Sequence, residues 1–347
     1  MRVLLLSILI FSCGLAIVLL NFSQRMLHPV FAQSLQSPIT QESLFDDNLG
    51  RYKWIIERGS SQNIVFQKLH KIGFVDSPDL VKLCAKILDQ TTVQAGTYWI
   101  EKTDTAISLI AKFHHGEVIV NRLTFPEGWN FSEWREHLSS IPQFADSQLL
   151  SDKELLLQAG IVSVYPEGWF FPDTYRYISV DKASDILRRA HQKMKRVLAE
   201  EWSGRAEGLP YDKAYDALIM ASIIEKETGL AQERSTIAGV FVKRLRLGMR
   251  LETDPTVIYG LGKEFNGNLR RSHLRQKTDY NTYLIKGLPP TPIAMPGRAA
   301  IQAAVHPSDE ESLYFVAKGD GSHFFSSSYE EHKQAVKKYQ LSKRSRK

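Results

Sequence analysis

The sequence is poor in cysteine, has a single long hydrophobic run and ends without acid. Two cysteines, Cys13 and Cys84, among 347 residues exclude a disulfide framework and a multi-cysteine metal site. Missing too are the GxxxxGK(S/T), HExxH and GxSxG patterns and any usable GxGxxG, which removes the P-loop, zincin, nucleophile-elbow and dinucleotide-binding classes. Acidic residues stop at Glu331, beyond which come Lys333, Lys337, Lys338, Lys343, Arg344, Arg346 and Lys347. These seven positive charges exceed the net +6 of the whole chain, so the body is nearly neutral and offers no broad basic face for nucleic acid. With 43% hydrophobic and 24% charged residues, the chain is neither wholly disordered nor a multi-span membrane protein.

The one long apolar run is Val3–Leu20, about 18 residues without a charge, close to the ~20 that span a bilayer. It is long for a signal-peptide core, and no small-x-small cleavage site follows cleanly, so a retained single-pass anchor is expected over a cleaved signal. Cys13 follows Ile10, Phe11 and Ser12, yet apolar residues continue beyond it, which fits a membrane-buried thiol better than a lipobox. Arg2 and Arg25 bias the orientation weakly; the expected topology puts the body outside. The polar stretch that follows reads as a stalk.

The remainder reads as α+β. Strand-like Trp54–Ile56, helix-like Ile64–Ile72 and Asp79–Leu88, and a strand at Gly96–Ile100 suggest a small module, extended by a helix at Ala106–Phe113 and a strand at Val118–Leu123. The phrase PEGW then occurs at Pro126–Trp129 and again at Pro166–Trp169, a recurrent turn with different flanks. Trp129 and Trp169 read as packing residues. Helices are expected at Ser132–Leu138, Ala183–Glu201, Asp212–Thr228 and Thr236–Leu247, while Leu251–Gly260, with Asp254-Pro255, reads as a turn into a short apolar stretch. The resulting segments are an anchor over 1–26, a stalk over 27–51, a module over 52–124, a larger domain over 125–340 and a basic tail over 341–347.

Candidate chemistry gathers at the end of the Asp212–Thr228 helix, where Glu225 and Glu227 follow an apolar stretch. At about 100° per residue the two carboxylates point roughly 200° apart, so only one can line a given cleft. Burial at such a helix end would raise a carboxyl pKa, as a general acid requires. Solvated carboxylates paired with Lys226 or Arg234 are the bland alternative. Tyr280-Asn281-Thr282-Tyr283 and the proline-rich Gly287–Gly297 loop suit sugars, whose apolar faces stack on rings while amides bond hydroxyls; equally, those side chains can serve loop backbone. His114-His115 reads as an exposed loop pair.

The phrases EKET, LETDPTVIYG, YNTY, GLPPTPIAMPG, AAVHP and LYFVAKGDGSHFFSSSYEEH, in this order after an apolar N-terminus, resemble the MltG (YceG-like) family of membrane-anchored endolytic murein transglycosylases from Tyr52 to Tyr339. Thr291 stands where glycine is expected after GLPP. The resemblance implies a LysM-like glycan-binding module before the first PEGW and a catalytic domain after it. The implied reaction is cleavage of the MurNAc–GlcNAc β-1,4 bond of nascent peptidoglycan strands without water, to give 1,6-anhydroMurNAc ends. One glutamate serves as acid and then base. Glu227-Thr228 looks like the Glu-Ser pair of other lytic transglycosylases, so the resemblance points to Glu227, with Glu225 in reserve. Asp254, Tyr259, Tyr280 and Asn281 are implied as substrate-binding residues. The expected partners are glycan strands, the cell inner membrane and penicillin-binding proteins of the divisome, with the body on the periplasmic side and no cofactor, metal or nucleic acid. The rivals are a lysozyme-like hydrolase with Asp254 as second carboxylate, and a non-catalytic glycan-binding scaffold.

Overall fold

The structure is a computed structural model that describes residues 20–21, 23–29, 45–46, 50–162 and 165–341. The expected anchor run up to residue 19, most of the stalk and Lys343–Lys347 of the tail lie outside these residues. Among the described residues, no helix is long and apolar enough to cross a membrane. The architecture is α+β, and the chain divides into two compact units. One comprises residues up to Arg122 together with Arg176–Asp181, the other Leu123–Tyr175 together with Lys182–Lys347.

In the first unit, β1 (Phe45–Asp46), β2 (Arg51–Ile56) and β3 (Gly96–Glu101) form an antiparallel sheet. Helices α1 (Gln62–Lys71) and α2 (Pro78–Ile87) lie between β2 and β3 in sequence, the strand–helix–helix–strand order expected from periodicity. Each helix starts where its N-cap side chain accepts an otherwise orphaned backbone N–H: Ser61 from Ile64, and Ser77 from Leu80. Next, α3 (Ala106–His115) opens with a reciprocal capping box between Thr105 and Ser108. Because α3 runs through His115, the His114-His115 pair ends a helix rather than sitting in a loop. Phe66, Leu69, Tyr98, Ile100, Leu109 and Phe113 fill the core, and the Tyr98 and Phe113 rings meet edge to face at 4.9 Å. The strand expected at Val118–Leu123 is displaced to β4 (Asn121–Thr124), which pairs with β5 (Thr174–Tyr177). Ile119 N–H does reach Thr97 C=O at 2.7 Å, but one hydrogen bond makes no ladder.

In the second unit the central element is a helix buried around its circumference. After α4 (Phe131–Ser140), α5 (Asp152–Gln158) and α6 (Ala183–Ser203), the chain forms α7 (Ala214–Glu227), of which every residue from Ala217 to Ile224 is buried. Such a helix needs cover on all sides. It packs against α6, α8 (Arg234–Arg246), α9 (Asp254–Leu261) and, most extensively, α10 (Arg298–Val305). An antiparallel hairpin of β6 (Tyr314–Ala317) and β7 (His323–Ser326), followed by α11 (Tyr329–Val336), completes the unit.

Helix α9 corrects the turn expected at Leu251–Gly260. Pro255 lies in its first turn, where a missing N–H costs nothing because those donors have no intrahelical partner. The PEGW turns also gain a physical role, since both grip the Gly287–Gly297 loop. Gly128 N–H donates to Met295 C=O at 2.9 Å, and Met295 N–H donates back to Trp129 C=O at 2.8 Å. At the second turn, Gly168 (φ +81°) packs against Pro292 and Leu218.

Candidate functional site

Helix α7 ends at Glu227, and its last turn sends its two carboxylates to different surroundings. Glu227 lines a cavity of about 390 Å³ with Arg244, Asp254, Tyr283, Tyr314 and His323. The hydroxyl of Thr253 donates to Glu227 Oε1. Thr253 is fixed in turn: its N–H donates to Thr282 Oγ1 at 3.0 Å and its C=O accepts from Thr256 Oγ1 at 2.8 Å. Desolvation pushes the Glu227 carboxyl up to about 7; the Asp254 charge adds to this, while the Thr253 hydroxyl, His323 and Arg244 pull it down. Such a group exchanges its proton near neutral pH.

The walls of this cavity are held by charge. Arg244 is buried, and its guanidinium donates to Leu313 C=O at 2.7 Å and Leu251 C=O at 2.8 Å, with Glu252 at 3.5 Å as ion-pair partner. Tyr283 OH donates to Asp254 Oδ1 at 2.7 Å. His323 is oriented by Glu233, which accepts its N–H at 2.9 Å and faces its Nδ1 at 2.7 Å.

Glu225 lies in a structural ion-pair network. Its Oε2 accepts the Gly297 N–H at 3.0 Å, and its Oε1 meets Arg234 at 3.4 Å, with Glu127 also near that guanidinium at 3.9 Å. Burial raises its pKa and Glu127 adds to the rise, while the Gly297 N–H and Arg234 oppose it. The two carboxylates thus point apart, one facing the cavity and the other fastening the 287–297 loop.

Tyr259 and Tyr280 are not beside Glu227. They line a second cavity of about 450 Å³ with Glu167, Phe131, Arg135, Tyr165 and Thr291. Glu167 is 6% exposed and accepts from Tyr259 OH at 2.9 Å and Phe131 N–H at 3.1 Å. Desolvation pushes its carboxyl up to about 7 against those hydrogen bonds. Asn281 lines neither cavity: it is fully buried, its amide donates to Gln276 C=O at 2.8 Å and Leu274 C=O at 3.1 Å, and its Oδ1 accepts Tyr283 N–H at 3.0 Å. In place of the expected substrate contact, Asn281 shapes the loop that presents Tyr283.

The sequence model of the YceG-like family matches residues 54–338. The chain belongs to that family. It is 28% identical over 333 residues to the endolytic murein transglycosylase of Bacillus subtilis, covering 90% of each chain. It is 25% identical to the protein of the same name in Streptococcus pneumoniae, covering 86% of this chain and 60% of the length of that one. Among solved structures it resembles a YceG-like protein from Listeria monocytogenes at a TM-score of 0.53 and 27% identity, over 82% of this chain and 98% of that one.

In this YceG-like chain, several residues that shape the two cavities were not singled out by sequence reasoning. Thr253 and Tyr283 sit inside the phrases LETDPTVIYG and YNTY, whose spacing does not tell which members face inward. Arg244 reads as one of three basic residues on a helix, and only its burial to 7% separates it from Lys243 and Arg246. Thr291, in the place of glycine, joins Tyr280 OH at 2.8 Å and donates to Pro292 C=O at 2.8 Å, so the departure adds a polar link beside the second cavity.

Proposed function

We propose that this YceG-like enzyme is an endolytic lytic transglycosylase of peptidoglycan, a lyase in which Glu227 acts first as acid and then as base. The observation that supports the reading is Glu227 itself, an acid at the end of a buried helix, held by one hydroxyl and pushed to about 7. It gives its proton to the glycosidic oxygen as the C1–O bond of the muramic residue breaks. The resulting carboxylate takes the proton of the C6 hydroxyl while that oxygen bonds to C1, closing a 1,6-anhydro ring. Glu227 ends the cycle protonated, and no water is consumed. A second carboxylate, which ordinary glycosidases need, has no required part. Arg244 and His323 stabilise the anion that exists between the two steps.

The proposal includes Val3–Leu20 as a membrane anchor at the cell inner membrane, the body outside, and the strand–helix–helix–strand module as a LysM-like glycan-binding unit. It includes penicillin-binding proteins as partners of a strand-terminating activity. The hydrolase reading is favoured by one feature, that Asp254 lines the same cavity as Glu227.

A pH profile tests the role of Glu227. Because the acid must start protonated, kcat/KM on uncrosslinked glycan strands is expected to fall as pH rises through about 7. Thr253→Val removes a donor that favours the carboxylate, so this limb is expected to move to higher pH. A profile that is flat up to pH 9, or a limb unmoved by Thr253→Val, contradicts the assignment.

A further inference from the structure

We propose that the Glu167 cavity is a second sugar subsite, which holds an N-acetylated aminosugar of the same strand away from the bond that Glu227 cleaves. The inference rests on the glycan-cleaving reading of the Glu227 site and extends it to a stretch of polymer.

The cavity has a sugar's chemistry. At about 450 Å³ it falls within the range of small-molecule pockets. Tyr165 lines it and is 57% exposed, while Tyr259 and Tyr280 meet edge to face at 4.8 Å on its wall. Pyranose rings have one apolar face, which aromatic rings cover well, and a rim of hydroxyls and an acetamide that needs directed polar partners. Those partners converge here as Glu167, Arg135, Asp152, Ser132 and Thr291. Arg135 and Asp152 form an ion pair, so together they offer a donor and an acceptor without net charge.

Glu167 itself calls for an explanation. A buried carboxylate is costly unless paired, and a cation is the usual remedy. Here the neutral donors Phe131 N–H and Tyr259 O–H hold it, and Glu133 adds negative charge nearby. A carboxylate offers about four acceptor positions, so it can still receive a sugar hydroxyl or acetamide N–H.

The same elements build both cavities. Helix α9 has Asp254 at its start, in the Glu227 cavity, and Tyr259 five positions on, in the Glu167 cavity. A rise of about 1.5 Å per residue separates them by roughly 7.5 Å along the axis, the scale of one or two sugars in an extended strand. The segment Tyr280–Tyr283 is shared likewise, with Tyr280 at the second cavity and Tyr283 at the first. A strand seated across α9 would reach both, and binding on both sides of the cleavage point is what an internal cut requires.

The test uses the full chain carrying Glu227→Gln, so that strands bind without turnover, and an uncrosslinked octasaccharide of alternating GlcNAc and MurNAc as probe in calorimetric titration. Adding Tyr165→Ala, at a position that is 57% exposed, is expected to weaken binding about tenfold or more. Tyr165→Phe is expected to restore it. Ser132→Trp, which fills the cavity from an exposed helix position, is expected to give the same loss. Affinities of the Tyr165→Ala and Ser132→Trp proteins within twofold of the parent would overturn the subsite. If the wild type still cleaves strands in that event, the transglycosylase reading stands alone; if Glu227→Gln cleaves as the wild type does, that reading fails first.

Discussion

Glu227→Gln is expected to lower strand cleavage by about a thousandfold or more, within the range that loss of a positioned general acid produces. In the proposed cycle the same group serves two proton transfers, so the loss falls on both steps. The substitution should also stabilise the protein in alkaline solution. The folded-state pKa of Glu227 is raised from 4.5 to about 7, so between those values the folded chain holds a proton that the unfolded chain has lost. Its contribution to stability is therefore full below about 4.5 and lost as pH rises through 7. At pH 8 a buried carboxylate remains, at a cost on the order of 3 kcal/mol relative to the protonated acid. Glutamine keeps the shape without the charge. Thermal melts should put the variant several degrees above the wild type at pH 8, with the gap narrowing at pH 5. Glu225→Gln provides the contrast: it removes the ion pair with Arg234 and is expected to lower the melting temperature while leaving the limb of the pH profile near 7 in place. A Glu227→Gln protein that melts below the wild type at pH 8 would contradict the buried-acid account.

The second large effect concerns a glycine. Gly168→Ala is expected to destabilise by about 3 kcal/mol, from left-handed strain of 1–2 kcal/mol and overpacking of 1–3 kcal/mol. At φ +81° the position is strained for any L side chain, and a methyl there would lie 2.6 Å from Pro292 Cβ and closer still to Cγ. Neither neighbour can yield easily, since Pro292 is a rigid ring and Leu218 behind it is fully buried in α7. Gly128, in the other PEGW turn, has nearly the same φ of +78°, but its nearest neighbours stand 3.8 Å away. Gly128→Ala should therefore cost only the backbone strain, about 1 kcal/mol. Paired melts separate the two; equal losses would mean that contact with Pro292 carries no weight.

The difference between the two turns also marks how far the sequence can be read. The opposition of Glu225 and Glu227 follows from helical geometry, so it is legible once the apolar pattern marks Asp212–Thr228 as one helix. The strand–helix–helix–strand order was legible from periodicity. Glu167 was not, because it reads as the acid of a turn, and its burial depends on Phe131, 36 positions earlier, and Tyr259, 92 positions later. Helix α9 was hidden by Asp254-Pro255, a pair that suits a turn and a helix start equally well. Asn281 was ambiguous for a similar reason: an amide that bonds sugar hydroxyls bonds backbone carbonyls as readily, and here three of the latter, at His273, Leu274 and Gln276, lie within reach.

The most direct test of the central claim is the mass of the products. Wild-type protein acting on uncrosslinked glycan strands should generate internal cuts whose new muramic ends are lighter by one water than reducing ends, and the Glu227→Gln protein should generate none. New ends at the full reducing-sugar mass would contradict the account and assign the chain to hydrolysis, with Asp254 as second carboxylate.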